Sequence, residues 1–141
     1  LKSNFVLIIV GSGYLESTLK DYVKSKKLEK NILFLGRRSD VDKILQAFDC
    51  FLMPSKYEGF GIAALEAATA GLPILLSSQI PNNFLFYSRN RYIEIDKGVN
   101  PWISAICNLK FDYNREAGVK EVINAGYDIL YTCDDFKRIY N

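Results

Sequence analysis

Short unbroken apolar runs alternate with stretches of helical periodicity through the first half of this chain, and that alternation limits its possible folds more than any other feature. Residues 5–10, 32–35, 50–53 and 74–77 read as strands, apolar on consecutive positions rather than on every second one. That is the pattern of strands buried on both faces. Between them, residues 14–27 put Leu15, Leu19 and Tyr22 or Val23 on one helical face, and residues 41–48 form a second helix. Residues 61–70 form a third, rich in alanine, with Gly71 and Pro73 marking its end. The alternation predicts an α/β protein with a Rossmann-like, doubly wound parallel sheet. Past Ser78 the pattern loosens: residues 79–90 are turn-rich, 92–95 suit a short edge strand, 101–109 a helix, and the chain is helical again from Asn114 with a break near Gly126. With 141 residues and 49% apolar content the chain has enough material for one sizeable core, and one domain over residues 1–141 is the expectation.

Sheets of this kind take ligands at the carboxyl ends of their strands. Three loops fall there: Gly11-Ser12-Gly13, Gly36-Arg37-Arg38-Ser39, and residues 56–61. The first begins like a dinucleotide fingerprint, but G-x-G-x-x-G needs glycine at position 16 and the chain has Glu16. NAD binding is therefore a weak reading.

The third loop carries the strongest chemical signal. In residues 54–66, Glu58 and Glu66 bracket Gly59 and Gly61 at the mouth of the alanine-rich helix. Bare glycine backbone lets a phosphate approach N–H groups that have no partner inside the helix, and the helix dipole adds positive potential at the same place. Glu66 lies in a run that reads as buried helix followed by buried strand, where a carboxylate needs hydrogen-bond donors. A rise of 1.5 Å per residue separates the two acids by roughly 10–12 Å along the axis, about the span from a sugar across a diphosphate to a ribose. The same spacing fits a Glu58 that only complements the helix dipole and a Glu66 that is an ordinary half-exposed helical residue, so spacing alone leaves both readings open.

The segment resembles the E-x7-E signature of the retaining glycosyltransferases of the GT-B fold, the "group 1", family 4-like transferases that use nucleotide-activated sugars. Pro54-Ser55 before the acids, Glu66-Ala67 within the motif and Gly71-Leu72-Pro73-Ile74 behind it follow the family's run. Residues 7–13, 32–36 and 48–53 are similar to its preceding strand and loop units, so the likeness covers about residues 6–76. The resemblance implies that Glu58 is the catalytic-site acid that bonds donor-sugar hydroxyls. It further implies that the amides of Gly59, Phe60, Gly61 and Ile62 approach the sugar and diphosphate, and that Glu66 holds the ribose. Gly11, Gly13, Gly36, Arg37 and Val41 become candidate nucleotide contacts, with a plain surface basic pair as the competing reading of Arg37-Arg38. The implied co-substrate is a nucleotide diphosphate sugar, UDP ahead of GDP on family frequency, with no cofactor and no metal. The implied reaction transfers a glycosyl group with retention to a saccharide or lipid acceptor. Similarity of Tyr127-Asp128-Ile129, Phe136 and Tyr140 to the closing helix of capsule and exopolysaccharide transferases leans toward bacterial surface polysaccharide or glycolipid synthesis, in the cytoplasm at the inner membrane face, with peripheral membrane contact.

Two departures qualify the family pattern. The Arg and Lys that serve the diphosphate belong to a segment ahead of the first strand here, and with the acceptor domain they are absent from a chain opening at Leu1. The expectation is a donor domain lacking its first βα segment and its N-terminal partner, inactive alone. Where the family often has Gly-Gly and a Glu after the motif, this chain has Ile80-Pro81-Asn82-Asn83. A stand-alone nucleotide-sugar binding or regulatory module is the main alternative. A GT-B epimerase or phosphorylase is a further one, although an epimerase should need His or additional acids and no cofactor lysine is identifiable.

Composition removes other classes. The chain has no histidine, which excludes Ser-His or Cys-His nucleophiles and His-ligated zinc. A net charge of +2 is too small to argue for nucleic acid, and the lysines between Lys20 and Lys43 alternate with acids as on a solvated face. Cys50, Cys107 and Cys133 follow no C-x-x-C spacing and read as reduced thiols. No apolar run approaches a membrane span and no signal peptide is legible.

Overall fold

In the computed structural model the described residues are 5–110 and 114–128. Cys133 and the similarities at Ile129, Phe136 and Tyr140 lie outside them. The chain divides into two compact units, Leu1–Val41 and Asp42–Asn141.

The first unit is one βαβ turn. Strand β1 (Leu7–Val10), helix α1 (Glu16–Ser25) and strand β2 (Ile32–Gly36) follow each other, and the two strands pair in parallel from Leu7 opposite Ile32. Helix α1 starts two residues later than the periodicity suggests, because the N–H of Glu16 turns back onto the carbonyl of Gly13. Of the expected apolar face only Val23 is buried, while Leu15, Leu19 and Tyr22 are exposed. The helix ends in a Schellman motif, with Leu28 N–H on the Val23 carbonyl and Lys27 N–H on that of Lys24. Lys27 takes the left-handed position at φ 55°, where glycine is usual. Strands β1 and β2 have alternating or partial burial, so the sequence expectation of strands covered on both faces does not hold in this unit.

In the second unit the expectation holds for the central strand alone. Helix α2 (Val41–Gln46) opens on the last residue of the first unit and leads to strand β3 (Phe51–Met53). Then come helix α3 (Ile62–Thr69), strands β4 (Ile74–Ser77) and β5 (Asn90–Ile93), a 3-10 turn (Ile95–Lys97), and helices α4 (Asn100–Cys107) and α5 (Arg115–Asn124). The three strands are parallel in the order β3-β4-β5, with the fully buried β4 in the centre. Leu75 packs with Ile93 and Ala105 on the α4 face. Alternation along β4 sends Ile74 and Leu76 to the other face. Ala64, Ala67 and Ala68 are the buried stripe of α3, and residues this small let the helix lie close to its neighbours.

Helices α3 and α5 meet where neither has a side chain. Helix α3 closes with a Schellman motif, Leu72 N–H to the Ala67 carbonyl and Gly71 N–H to that of Ala68, with Gly71 at φ 73°. A Cβ on Gly71 would lie 2.6 Å from the backbone of Arg115, and one on Gly118 would lie 2.7 Å from the Tyr87 hydroxyl. The fully buried Tyr87 donates that hydroxyl to the carbonyl of Leu72 at 2.8 Å. Arg115 donates to the Phe48 carbonyl at 2.7 Å, with longer bonds to the carbonyls of Leu45 and Ala70, so one guanidinium serves the last carbonyls of two helices. Arg89 adds bonds to the carbonyls of Gly71 and Asn114.

Two measurements test this junction. Gly71→Ala combines backbone strain with a clash against main chain, whereas Gly126→Ala has the same sign of φ, 87°, and open space around it. Urea unfolding should show Gly126→Ala costing about 1 kcal/mol and Gly71→Ala at least about 2 kcal/mol more. The second concerns alkali. Burial pushes the Tyr87 phenol up to about 12, against about 10 in the unfolded chain. The folded state therefore holds the proton longer. Its stabilising contribution is complete below pH about 10 and is lost as the pH rises through 12. Tyr87→Phe should be less stable than the wild type by about 1–2 kcal/mol at neutral pH, for want of the bond to Leu72, and the gap should narrow from pH about 10 upward.

Candidate functional site

The loop that follows β3 carries the acids and glycines singled out in the sequence. The Ser55 hydroxyl donates to Glu58 Oε1 at 2.9 Å, three residues along the chain, which engages one carboxylate oxygen of the half-buried Glu58. Gly61 is the N-cap of α3 in the left-handed conformation, φ 90° and ψ 52°, and no side chain caps the helix. Its carbonyl accepts from Ala64 and Leu65. Among the described residues no acceptor is found for the N–H groups of Gly59, Phe60, Gly61 and Ile62. The helix mouth therefore offers a set of unsatisfied donors beside a positioned carboxylate.

Glu66 corrects one expectation. It is exposed, not enclosed by apolar neighbours, because the inward stripe of α3 is Ala64, Ala67 and Ala68. A helix advances 100° per residue, so Glu66 shares the open side with Ile62, one turn earlier, and Thr69. Ile62 is 69% exposed despite its apolar side chain. The run of small apolar residues looked uniformly buried in the sequence only because alanine serves both faces of a helix. Glu58 and Glu66 are thus both accessible in the second unit, one before the helix and one on its second turn.

The ring of Phe60 points inward. It lies 5.8 Å from the ring of Phe84 and 5.6 Å from that of Tyr127, and Phe86 closes the cluster at 5.2 Å from Tyr127. Asn83 donates from Nδ2 to the Phe60 carbonyl at 3.2 Å. The Phe84 ring passes 3.4 Å from the place a Cβ on Gly61 would take. Ser55, Asn83 and Tyr127 have no site role in the sequence reading. Ser55 had a signal in its hydroxyl three positions before an acid. Asn83 had none, since its partner is 23 residues away.

In the first unit, the loops after β1 and β2 are tied together. The N–H of Gly11 donates to the carbonyl of Gly36 at 2.7 Å, and Arg37 Nε donates to the Ser12 hydroxyl at 2.9 Å. Gly11 and Gly36 both take positive φ, 125° and 64°. The basic pair resolves into two different residues. Arg38 forks onto Asp40 at 2.7 and 2.8 Å, and these hydrogen bonds hold the Asp40 carboxyl below its ordinary range and raise the guanidinium. Arg37 has no carboxylate partner among the described residues. Gly13 follows in the same loop, and Val41, half-buried, is the first residue of α2.

An open cleft of 570 Å³ lies at the opposite, amino ends of β4 and β5, lined among others by Pro73, Arg89, Asn90, Arg91 and Lys110. Several of its polar groups already serve the fold: Ser88 donates to Glu121, Asn90 to the carbonyls of Phe84 and Tyr87, and Arg89 to Gly71 and Asn114. Size alone does not make it the reactive site. Among the described residues no cluster of acids and cysteines is set to hold a metal ion, and no helix is long and apolar enough to cross a membrane. Cys50 and Cys107 are free thiols, and burial pushes that of Cys50 up to about 12.

Residues 1–84 match the family described as "Glycosyl transferases group 1". Over 96% of its length the chain is 32% identical to the UDP-Gal:alpha-D-GlcNAc-diphosphoundecaprenol alpha-1,3-galactosyltransferase of Escherichia coli, covering 36% of that protein. Over 94% it is 36% identical to an uncharacterized glycosyltransferase of Haemophilus influenzae, covering 39% of it. The chain thus spans well under half the length of these relatives. Among solved structures, TarM superposes with a TM-score of 0.76 at 22% identity, over 96% of this chain and 28% of that one. The pneumococcal O-GlcNAc transferase GtfA in complex with UDP and GlcNAc gives 0.72 at 22% identity, over 84% and 26%. The chain belongs to the group 1 glycosyl transferases, and its α/β architecture with parallel sheets is that of the GT-B glycosyltransferase structures.

Proposed function

We propose that this chain forms the donor-binding part of a retaining glycosyltransferase that moves a sugar from a nucleotide diphosphate sugar to a saccharide or lipid-linked acceptor. The observation that carries the proposal is the mouth of α3, where four consecutive N–H groups without acceptors among the described residues sit next to a carboxylate held by Ser55. Amides in that arrangement are preorganised for negative charge that grows on a departing diphosphate, and they do not have to reorient when the bond breaks. Glu58 has one oxygen committed to Ser55 and one available to accept from sugar hydroxyls. Glu66, on the open side of the helix, accepts from the ribose. In the first unit, Gly11, Gly13, Gly36, Val41 and Arg37, which donates to the Ser12 hydroxyl, stay nucleotide candidates on the family resemblance alone.

The acids are not read as a hydrolase pair. Two-carboxylate glycoside hydrolysis needs both groups around one bond, roughly 5–10 Å apart, whereas Glu58 lies in the loop before α3, Glu66 on its second turn, and the two are assigned to different parts of the ligand. A UDP donor is favoured over GDP by the name of the Escherichia coli relative, which specifies UDP-Gal, and by the UDP complex of the structural neighbour. The same relative's diphosphoundecaprenol acceptor and the O-antigen and lipopolysaccharide transferases among the other relatives support a role in bacterial surface polysaccharide synthesis at the cytoplasmic face of the membrane.

Calorimetric titration with UDP, GDP and their galactose, glucose, N-acetylglucosamine and mannose conjugates tests the reading, with Glu66→Ala in parallel. Glu66 is exposed on a helix, so its replacement by alanine should leave stability within about 0.5 kcal/mol and any change in binding is attributable to the site. The expected result is saturable binding of the uridine series, weakened about tenfold or more by Glu66→Ala, as loss of a hydrogen bond to a charged group would do. Equal binding by wild type and variant removes Glu66 from the site. Preference for the guanosine series overturns the donor assignment.

A further inference from the structure

We propose that Asn83 is a positioning residue for the diphosphate, acting through the peptide bond between Phe60 and Gly61; this rests on the donor-site reading above. A trans peptide is planar, so its C=O and the following N–H point in opposite directions. Asn83 Nδ2 holds the Phe60 carbonyl at 3.2 Å. The Gly61 N–H is thereby turned to the other side, where it meets no acceptor among the described residues.

Glycine is what makes such a lock necessary. Gly61 sits at φ 90°, and because glycine accepts either sign of φ, its own backbone does not oppose a half-turn of the Phe60–Gly61 peptide. In the rotated state the Phe60 carbonyl, not the Gly61 N–H, would face the helix mouth and repel an anion. The contacts that hold the loop act on rings and on space: the Phe60 ring against Phe84 and Tyr127, and the Phe84 ring behind Gly61. A ring in a cluster fixes where the residue is, not which way its peptide points. Among the described residues, Asn83 supplies the bond that distinguishes the two orientations. It does so from the segment Ile80-Pro81-Asn82-Asn83, where the chain departs from the family's usual sequence. The following Phe84 is fully buried and anchors that segment beside the loop.

The test uses the full chain and pairs of nucleotides differing by one phosphate, UDP with UMP and GDP with GMP, titrated against wild type, Asn83→Ala and Asn83→Asp. Asn83→Asp keeps the shape and removes the donor but adds a charge, so Asn83→Leu, similar in size and uncharged, stands in if Asn83→Ala fails to fold. The expected outcome is a loss of about tenfold in affinity for the diphosphate, with affinity for the monophosphate held within about twofold. A residue of merely structural importance would lower both together, and that result overturns the proposal. So does unchanged diphosphate affinity in variants of a wild type that binds. A wild type that binds neither diphosphate overturns the donor-site reading itself and this inference with it, so the two failures are told apart by the wild-type titration alone.

Discussion

The second unit depends on two helices touching backbone to backbone. Helices α3 and α5 come together at Gly71 and Gly118, and no larger residue fits at either point without moving main chain or the Tyr87 hydroxyl. Close approach of this kind leaves carbonyl groups at helix ends with little room for water, and each must find a donor from the protein. Arg115, Arg89 and Tyr87 supply those donors, reaching the carbonyls of Phe48, Gly71 and Leu72 among others. The consequence for the site is direct. Helix α3 is fixed at its carboxyl end by this junction, so its amino end, with Gly61 and the open N–H groups, is held as the far end of a short rigid rod.

Much of the fold was legible because its signals are local. Strand β4 was read to the residue, since Ile74 to Ser77 are flanked by a helix-stopping Gly71 and Pro73 and no competing period runs through them. The parallel arrangement followed from alternation, and the ends of α3 and α5 from glycines in Schellman positions. The edge strand β5 was placed two residues late because Asn90 and Arg91, polar residues at the start of an edge, carry no apolar signal. The exposure of Leu15, Leu19 and Tyr22 was not legible, because periodicity says which residues share a face and not whether anything covers that face.

The candidate site divides along the same line. The glycines and acids around α3 were visible as chemistry at a fixed spacing. The arrangement that orients them was not: Asn83 reaches Phe60 across 23 residues and Tyr87 reaches Leu72 across 15. Contacts at such separations exist only once the sheet is built, and no window of sequence contains both partners. The environment of Glu66 was misread for a related reason. Alanine carries no information about which side of a helix is inside, and six alanine and aliphatic residues among the eight of α3 hide the polar face.

The space around Gly118 has a meaning for how this protein can change. A methyl group there would lie 2.7 Å from the Tyr87 oxygen but 3.1 Å and 3.2 Å from its next neighbours, the Gly71 Cα and a Tyr87 ring carbon. Removing that oxygen eliminates the worst collision and leaves only contacts that a few tenths of an ångström would relieve. Positions 87 and 118 are therefore coupled in order as well as in energy. A lineage that first exchanges the tyrosine for phenylalanine can later accept alanine at 118, whereas the reverse sequence of steps passes through a strained intermediate. A side-chain hydroxyl that satisfies one carbonyl thus also sets the direction in which neighbouring positions are free to drift.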